Sequence, residues 1–297
     1  MTTAFCPAHI TGFFKAELNK EDSKELGSLG AGFSIQKGVK TTVTVRNKTK
    51  HDISNFTIKV NGFESGDMRV SEVVLSKFPT KEKFVDVIHE IDVPVGYGFG
   101  SSAAVALSLA IALNDALECK LSKIKVAQIA HDVEIECKTG LGDVLASYHG
   151  GFEIRDKPGA PGIGHIQKIT LNKISIIMIC FSPISTTKFI KERLPQINGL
   201  GGKMVNRLLE SKNYEHFQEM SLEFAKYVDV MTPRMQKVVN ELSKNNIKCG
   251  IALFGETIFS MIPKENENKI LKILEKYSDG IIIKSELDDT GARVLYN

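Results

Sequence analysis

In the first half of the chain, apolar and polar positions alternate over Thr41 to Arg46, Phe56 to Val60 and Val85 to Val93, the period-two pattern of half-buried strands. The period then lengthens. Ser101 to Leu117 and Lys123 to Cys137 carry apolar residues at helical spacing, and Ala103 to Leu113 is apolar enough to predict a helix buried on every side. Ser108 interrupts that run, which falls short of the ~18 residues a membrane span needs, so a core helix of a soluble protein is expected and no membrane partner.

Pro158, Gly159, Pro161, Gly162 and Gly164 crowd into one short stretch and predict a loop, which divides the chain into domains 1–164 and 165–297. Beyond it the pattern predicts a buried strand over Ile174 to Phe181 and helices from Lys203, Tyr214 and Pro233. Strands follow at Ile251 to Phe254 and Ile258 to Ile262, then a Lys-rich helix over Lys264 to Lys276 and short strands at Ile281 to Lys284 and Arg293 to Leu295. This order predicts an α+β fold in which helices cover one face of a largely antiparallel sheet.

Composition narrows the function classes. With 297 residues, 42% hydrophobic and 25% charged, the chain is neither disordered nor fibrous and is long enough for two cores. A net charge of +3, from 38 basic and 35 acidic residues spread along the sequence, offers no field for nucleic acid. The lysines of the 264–276 helix alternate with Glu265, Glu267 and Glu275, as on a solvated face. Five scattered cysteines without a CxxC pair fit a reducing compartment, and Met1 is followed by strand-like sequence rather than a leader, so a cytoplasmic location is expected.

The chemistry concentrates in Pro94-Val-Gly-Tyr-Gly-Phe-Gly-Ser-Ser-Ala-Ala, which leads straight into the first helix. Gly96, Gly98 and Gly100 let the backbone turn tightly and approach a ligand without a Cβ in the way. Ser101, Ser102 and Ala103 open a helix whose first turn has free N–H groups and the positive end of its dipole, a place for phosphate. A Walker loop would need lysine after the last glycine, where Ser101 stands, and a dinucleotide fingerprint would need two residues between Gly98 and Gly100. Neither fits. The same glycines would also serve a bare strand-to-helix turn.

A second constellation is Lys138-Thr-Gly-Leu-Gly-Asp-Val-Leu-Ala-Ser, ending in Gly150-Gly151. A rigid glycine turn presents Asp143 as a catalytic base for a hydroxyl proton. Glu134 on the preceding helix and the Ser102 hydroxyl form the sparse oxygen set that Mg²⁺ favours while it keeps water and substrate phosphates. Alone, a glutamate on a helix is more often merely solvated.

On these residues the chain resembles the GHMP kinase superfamily. Pro94 with Gly98-Phe-Gly-Ser-Ser-Ala103 is similar to its phosphate-loop signature, with Phe99 in place of leucine, and Asp143, Ala146-Ser147 and Gly150-Gly151 follow its catalytic segment. The resemblance implies a ribosomal-protein-S5-like N-terminal domain, a ferredoxin-like C-terminal domain, ATP and Mg²⁺ as cofactors, Ser102 and Glu134 as magnesium ligands, and a homodimer by family habit. Of the third family motif, Gly250-Ile-Ala-Leu-Phe-Gly-Glu-Thr257 keeps only part, and its role stays open.

Three further stretches, Phe5-Cys-Pro-Ala-His-Ile-Thr-Gly-Phe-Phe, Gly27-Ser-Leu-Gly-Ala-Gly and Thr139-Gly-Leu-Gly-Asp, are similar to the archaeal pantoate kinases of that superfamily, which implies (R)-pantoate as acceptor. Such a carboxylate substrate needs a cation or a fan of donors. Arg155 is the expected carboxylate partner, with Ser28 as a hydroxyl donor and His131, one helical turn before Glu134, as a further contact. His9 stands where mevalonate-kinase-like relatives often have lysine, and is expected to place the acceptor hydroxyl or a phosphate. Another small-alcohol acceptor, or a non-catalytic metabolite-binding relative, stays open on this reading.

Overall fold

The computed structural model describes residues 1–63, 66–184 and 186–296. Strands β1 (Thr2–Glu17) and β2 (Gly27–Asn47) form a long antiparallel pair at the centre of a seven-stranded sheet. The first part of β2 pairs with β5 (Phe152–Lys157), which in turn carries β6 (His165–Ile169). Its second part pairs with β4 (Lys83–Ile91), beside which β3 (Phe56–Gly62) lies parallel at the edge. Strand β1 is almost continuously buried because helices press on it from both sides, so it shows no alternation. Only the end of β2, from Thr41 to Arg46, has one wet face, and there the alternation appears.

Helix α1 (Arg69–Ser76), α2 (Ser101–Ala116), α3 (Lys123–Cys137) and the short α4 (Asp143–His149) form the layer beside this sheet, with α2 at its centre. Alanines and leucines surround α2 on all faces, and eleven of its residues are buried, as the sequence predicts. Ser122 caps the start of α3 by accepting from the Lys125 amide, and Lys138, in the left-handed region at φ 58°, ends it.

The second sheet is four-stranded and antiparallel, in the order β10 (Ile281–Glu286), β7 (Ile174–Pro183), β9 (Gly255–Pro263), β8 (Gly250–Ile251). Helices α6 (Tyr214–Tyr227), α7 (Pro233–Lys244) and α8 (Glu267–Leu274) pack against it. The result is an α+β molecule with a β-rich first part and a mixed second part. Strands β6 and β11 (Arg293–Leu295) follow residue 164 in sequence yet pair within the first sheet, β11 on β1.

Helix α5 (Thr186–Ser211) departs from expectation. It begins well before Lys203 and runs through Pro195, Gly199, Gly201 and Gly202, which in sequence look like breaks. The reason is a close approach: at Gly201 any Cβ would overlap the carbonyl of Phe14 in β1, so the glycine lets the helix lie directly on the strand. Asn198 clamps the contact, accepting from the Ala16 amide at 2.8 Å and donating to its carbonyl at 3.2 Å.

Phenylalanines join the two halves. Phe217 of α6 packs on Phe33 and Phe152 of the first sheet and stacks on Phe259 of β9, with ring centroids 5.1–6.1 Å apart. A Cβ at Gly12 would strike the Phe217 ring at 2.6 Å. Among the described residues no helix is long and apolar enough to cross a membrane.

Candidate active site

The phosphate loop follows β4 and ends at the N-terminus of α2. Gly96 and Gly98 sit at φ 85° and Gly100 at φ 56°, values that L side chains rarely adopt. Three loop carbonyls are taken up by neighbours. Ile184 N donates to Gly96 O at 3.0 Å, the Thr257 hydroxyl to Tyr97 O at 2.9 Å, and His9 N to Phe99 O at 3.0 Å. With its carbonyls anchored outward and the first-turn N–H groups of α2 lacking intrahelical partners, the loop end suits an anion. The partial third motif thus braces the phosphate loop: besides the Thr257 bond, a Cβ at Gly255 would overlap the Tyr97 carbonyl, and one at Gly98 would stand 3.2 Å from Ala252.

A cleft of about 420 Å³ opens over this loop, lined by Gly96, Gly98, Ser102, Thr139, Asp143 and Arg155 among others. Ser28 and Thr11 reach it from the first sheet, and Phe14, Ile190, Leu253 and Phe254 give it an apolar wall.

Glu134, on α3, is buried. Its Oε2 accepts from the Ser102 hydroxyl at 3.2 Å and its Oε1 from Thr139 at 2.6 Å. Burial pushes its carboxyl up to about 7, the Asp143 charge adds to the rise, and the two hydroxyl bonds only partly offset it. A buried carboxylate in this state gains from a cation. Gly140 leaves room for one to approach, since a Cβ there would collide with Glu134 Oε2 and stand 3.2 Å from Asp143 Oδ2. Among the described residues no group of three or more His, Cys, Asp or Glu side chains is arranged to hold a metal ion by itself, so Glu134 with Ser102 is a donor set of the sparse kind that fits Mg²⁺ shared with substrate phosphates.

Asp143 opens α4 directly after Gly142, and its Cγ would lie 3.3 Å from a Cβ at Gly100, so its carboxyl sits close against the glycine loop. Its Oδ1 meets His9 Nδ1 at 2.8 Å. Burial raises its carboxyl, but the hydrogen bond and charge of His9, with Arg155 nearby, outweigh that and hold it below the ordinary aspartate value.

His9 has no exposed surface and is absent from the cleft lining, which it meets through Asp143, Thr11 and Arg155. Its other nitrogen, Nε2, meets Glu153 Oε1 at 3.0 Å. Burial works against the charged ring, yet the Asp143 and Glu153 bonds more than compensate and raise its pKa.

Arg155 is buried at the back of the cleft. Its Nη1 donates to Glu153 Oε1 at 2.5 Å and its Nη2 to Thr11 Oγ1 at 3.4 Å, while its Nε has no partner among the described residues. A Cβ at Gly142 would sit 2.9 Å from that Nε and would collide with the Ser28 hydroxyl. Ser28 and Arg155 therefore look onto one small space beside Asp143.

His131 lies elsewhere. Its Nε2 donates to the Ser23 carbonyl at 3.1 Å, in the turn that leads to Ser28, and burial lowers its pKa. It borders that turn rather than the cleft lining, because the i, i+3 spacing from Glu134 fixes a helix face but not the tilt of the side chain.

Sequence reasoning passed over Thr11, Thr139 and Glu153. The last had a signal: Glu153 and Arg155 are two apart on a strand and must share a face.

Known proteins are similar to this chain in sequence and fold. Residues 68–151 match the GHMP kinases N terminal domain. Over 277 residues the chain is 33% identical to the pantoate kinase of Methanocaldococcus jannaschii, covering 91% of this chain and 96% of that one. It is 29% identical over 275 residues to the pantoate kinase of Thermococcus kodakarensis, covering 91% of each. Its fold is similar to the solved structure of a phosphotransferase related to the CoA biosynthesis pathway, with a TM-score of 0.88, 28% identity and coverage of 98% of this chain and 97% of the other.

Proposed function

This chain belongs to the pantoate kinase family of the GHMP kinases, and we propose that it transfers the γ-phosphate of ATP to the 4-hydroxyl of (R)-pantoate, on the route to coenzyme A. The observation that carries this reading is the pair of donors at Gly142. A buried guanidinium nitrogen with no partner, 2.9 Å from where a Cβ would stand and facing the Ser28 hydroxyl, is the setting a small carboxylate needs. A neutral sugar would leave that Nε donor without an anionic partner.

In this reading the substrate carboxylate lies between Ser28 and Arg155, and the acceptor hydroxyl lies toward Asp143. Oδ1 of Asp143 is engaged by His9, which leaves Oδ2 to take the hydroxyl proton as the new O–P bond forms and the bond to the β-phosphate bridging oxygen breaks. Gly96, Gly98, Gly100, Ser101, Ser102 and Ala103 hold the triphosphate through backbone amides at the α2 N-terminus. Ser102 and Glu134 would hold Mg²⁺, which when bound neutralises charge across the phosphates. The apolar wall of Phe14, Leu253 and Phe254 suits the methyl groups of pantoate and excludes water. Residues 1–164 carry the loop, the base and the carboxylate pair, and the remainder closes the cleft with Ile184, Ile190, Leu253 and Phe254.

The test is nucleotide release by the purified protein with Mg-ATP and a panel of pantoate, mevalonate, phosphomevalonate, homoserine and galactose. Pantoate-dependent turnover is expected. It should vanish in Asp143→Asn, and in Arg155→Ala the pantoate KM should rise steeply while the ATP KM stays. Turnover with another panel member in place of pantoate would reject the acceptor.

A further inference from the structure

Behind Asp143 the side chains form a line that is buried from His9 onward: Asp143 Oδ1, His9 Nδ1, His9 Nε2, Glu153 Oε1, Arg155 Nη1, with successive contacts of 2.8, 3.0 and 2.5 Å. Glu153 has no exposed surface and is absent from the cleft lining, so no substrate touches it.

A histidine with a carboxylate at each ring nitrogen satisfies both only by donating from both, that is, as an imidazolium. Four elements bound the ring. Helix α4 presents Asp143, β5 presents Glu153 and Arg155, and β1 presents Thr11, whose hydroxyl lies 3.5 Å from Nδ1. From β2 comes Gly32, where any Cβ would collide with Nε2. Two carboxylates, Asp143 at the cleft and the buried Glu153, thus face the buried ring of His9, with the buried Arg155 beside it. Glu153 Oε2 has no partner among the described residues, an unmet acceptor that stability alone does not explain.

We propose that Glu153 is a positioning residue for phosphoryl transfer: it holds His9 as a ring that donates from both nitrogens, and the ring in turn pins Asp143 Oδ1 so that Oδ2 faces the acceptor hydroxyl. This rests on the reading of Asp143 as the base. Without the Glu153 charge, His9 would stand between one anion and the Arg155 cation, and the neutral ring would be favoured. A neutral ring donates from only one nitrogen and no longer has to donate to Asp143. The lysine often found at this place in mevalonate-kinase-like relatives would carry its charge unaided at neutral pH, whereas the histidine at position 9 needs a second carboxylate to do so.

Glu153→Gln keeps the shape and removes the charge, and two measurements follow it. In long-range ¹H–¹⁵N spectra, with His9 assigned by its loss in His9→Gln, the wild-type ring should show both nitrogens protonated at pH 7.5 and the variant a neutral tautomer. In steady-state kinetics the variant should lose kcat roughly 10- to 100-fold, as when the carboxylate partner of a metal-ligating histidine is removed. The ATP KM should hold, and activity should decline at lower pH on the alkaline side than in wild type, as His9 loses its proton earlier. A neutral His9 in the wild-type spectrum overturns the proposal even if the variant fails to fold, as does a variant with unchanged kcat and pH profile. If the wild-type protein does not turn over pantoate at all, the assignment of the site fails instead, and the ring spectrum still reports separately on what Glu153 does to His9.

Discussion

The hydroxyl of Thr257 donates to the carbonyl of Tyr97 at 2.9 Å, tying the second sheet to the phosphate loop across 160 residues of sequence. The bond orients the peptide ahead of Gly98 and so the amides that follow it. Thr257→Val keeps the volume and removes the donor, leaving a carbonyl without a partner, a loss of about 1–2 kcal/mol. The ATP KM should rise roughly five- to thirtyfold on that energy, with the pantoate KM nearly unchanged. Equal changes in both constants would show that Thr257 braces the whole cleft.

Gly142 lies between Ser28 and Arg155, and a methyl group there would occupy the space assigned to the substrate carboxylate. Gly142→Ala should raise the pantoate KM by about tenfold or more, the equivalent of one charge-assisted hydrogen bond lost, and leave nucleotide binding measured by calorimetry unaffected.

His89 is buried between Thr41, 2.8 Å from Nδ1, and Ser71, 3.1 Å from Nε2, with no carboxylate beside it. Burial lowers its pKa from the usual 6.5 to about 4. The folded state therefore binds this proton less readily than the unfolded chain, so the contribution to stability is complete above pH 6.5 and is lost as pH falls toward 4. The linkage amounts to about 3 kcal/mol. Urea unfolding at pH 7.5 and pH 5 should show part of that loss in wild type, and His89→Gln should flatten the slope.

Gly201→Ala would drive a methyl group into the Phe14 carbonyl. Backbone cannot yield as a side-chain tip can, so α5 must lift from β1. A loss of about 1–3 kcal/mol is expected, as for overpacking in a core, seen as a lower Tm at unchanged secondary structure. A variant as stable as wild type would mean that the helix shifts at no cost.

Local pattern carried a good share of this molecule. Glycines at 96, 98 and 100 permit the positive φ that a tight loop uses, and all three residues have it. The apolar residues of α2 specify a central helix, and Gly142-Asp143 specifies a presented carboxylate. Strand β1 and helix α5 were harder to read. The first is covered on both faces and loses its alternation, and the second spends its glycines on contact with a strand nearly 190 residues away.

What the sequence by itself determined is the chemistry on offer: a glycine loop opening a helix, the carboxyls of Asp143 and Glu134, and the guanidinium of Arg155, the loop and the presentation of Asp143 being set by conformational rules that act within a few residues. Only the tertiary structure decided who answers to whom. It turned His131 to the Ser23 carbonyl, buried His9 behind Asp143 and lined up Glu153 with both. Those partners lie 108 to 144 residues apart. Which charges meet at such separations depends on how β1, β2 and β5 align in one sheet, and that register is set by packing across the whole core rather than by any local pattern.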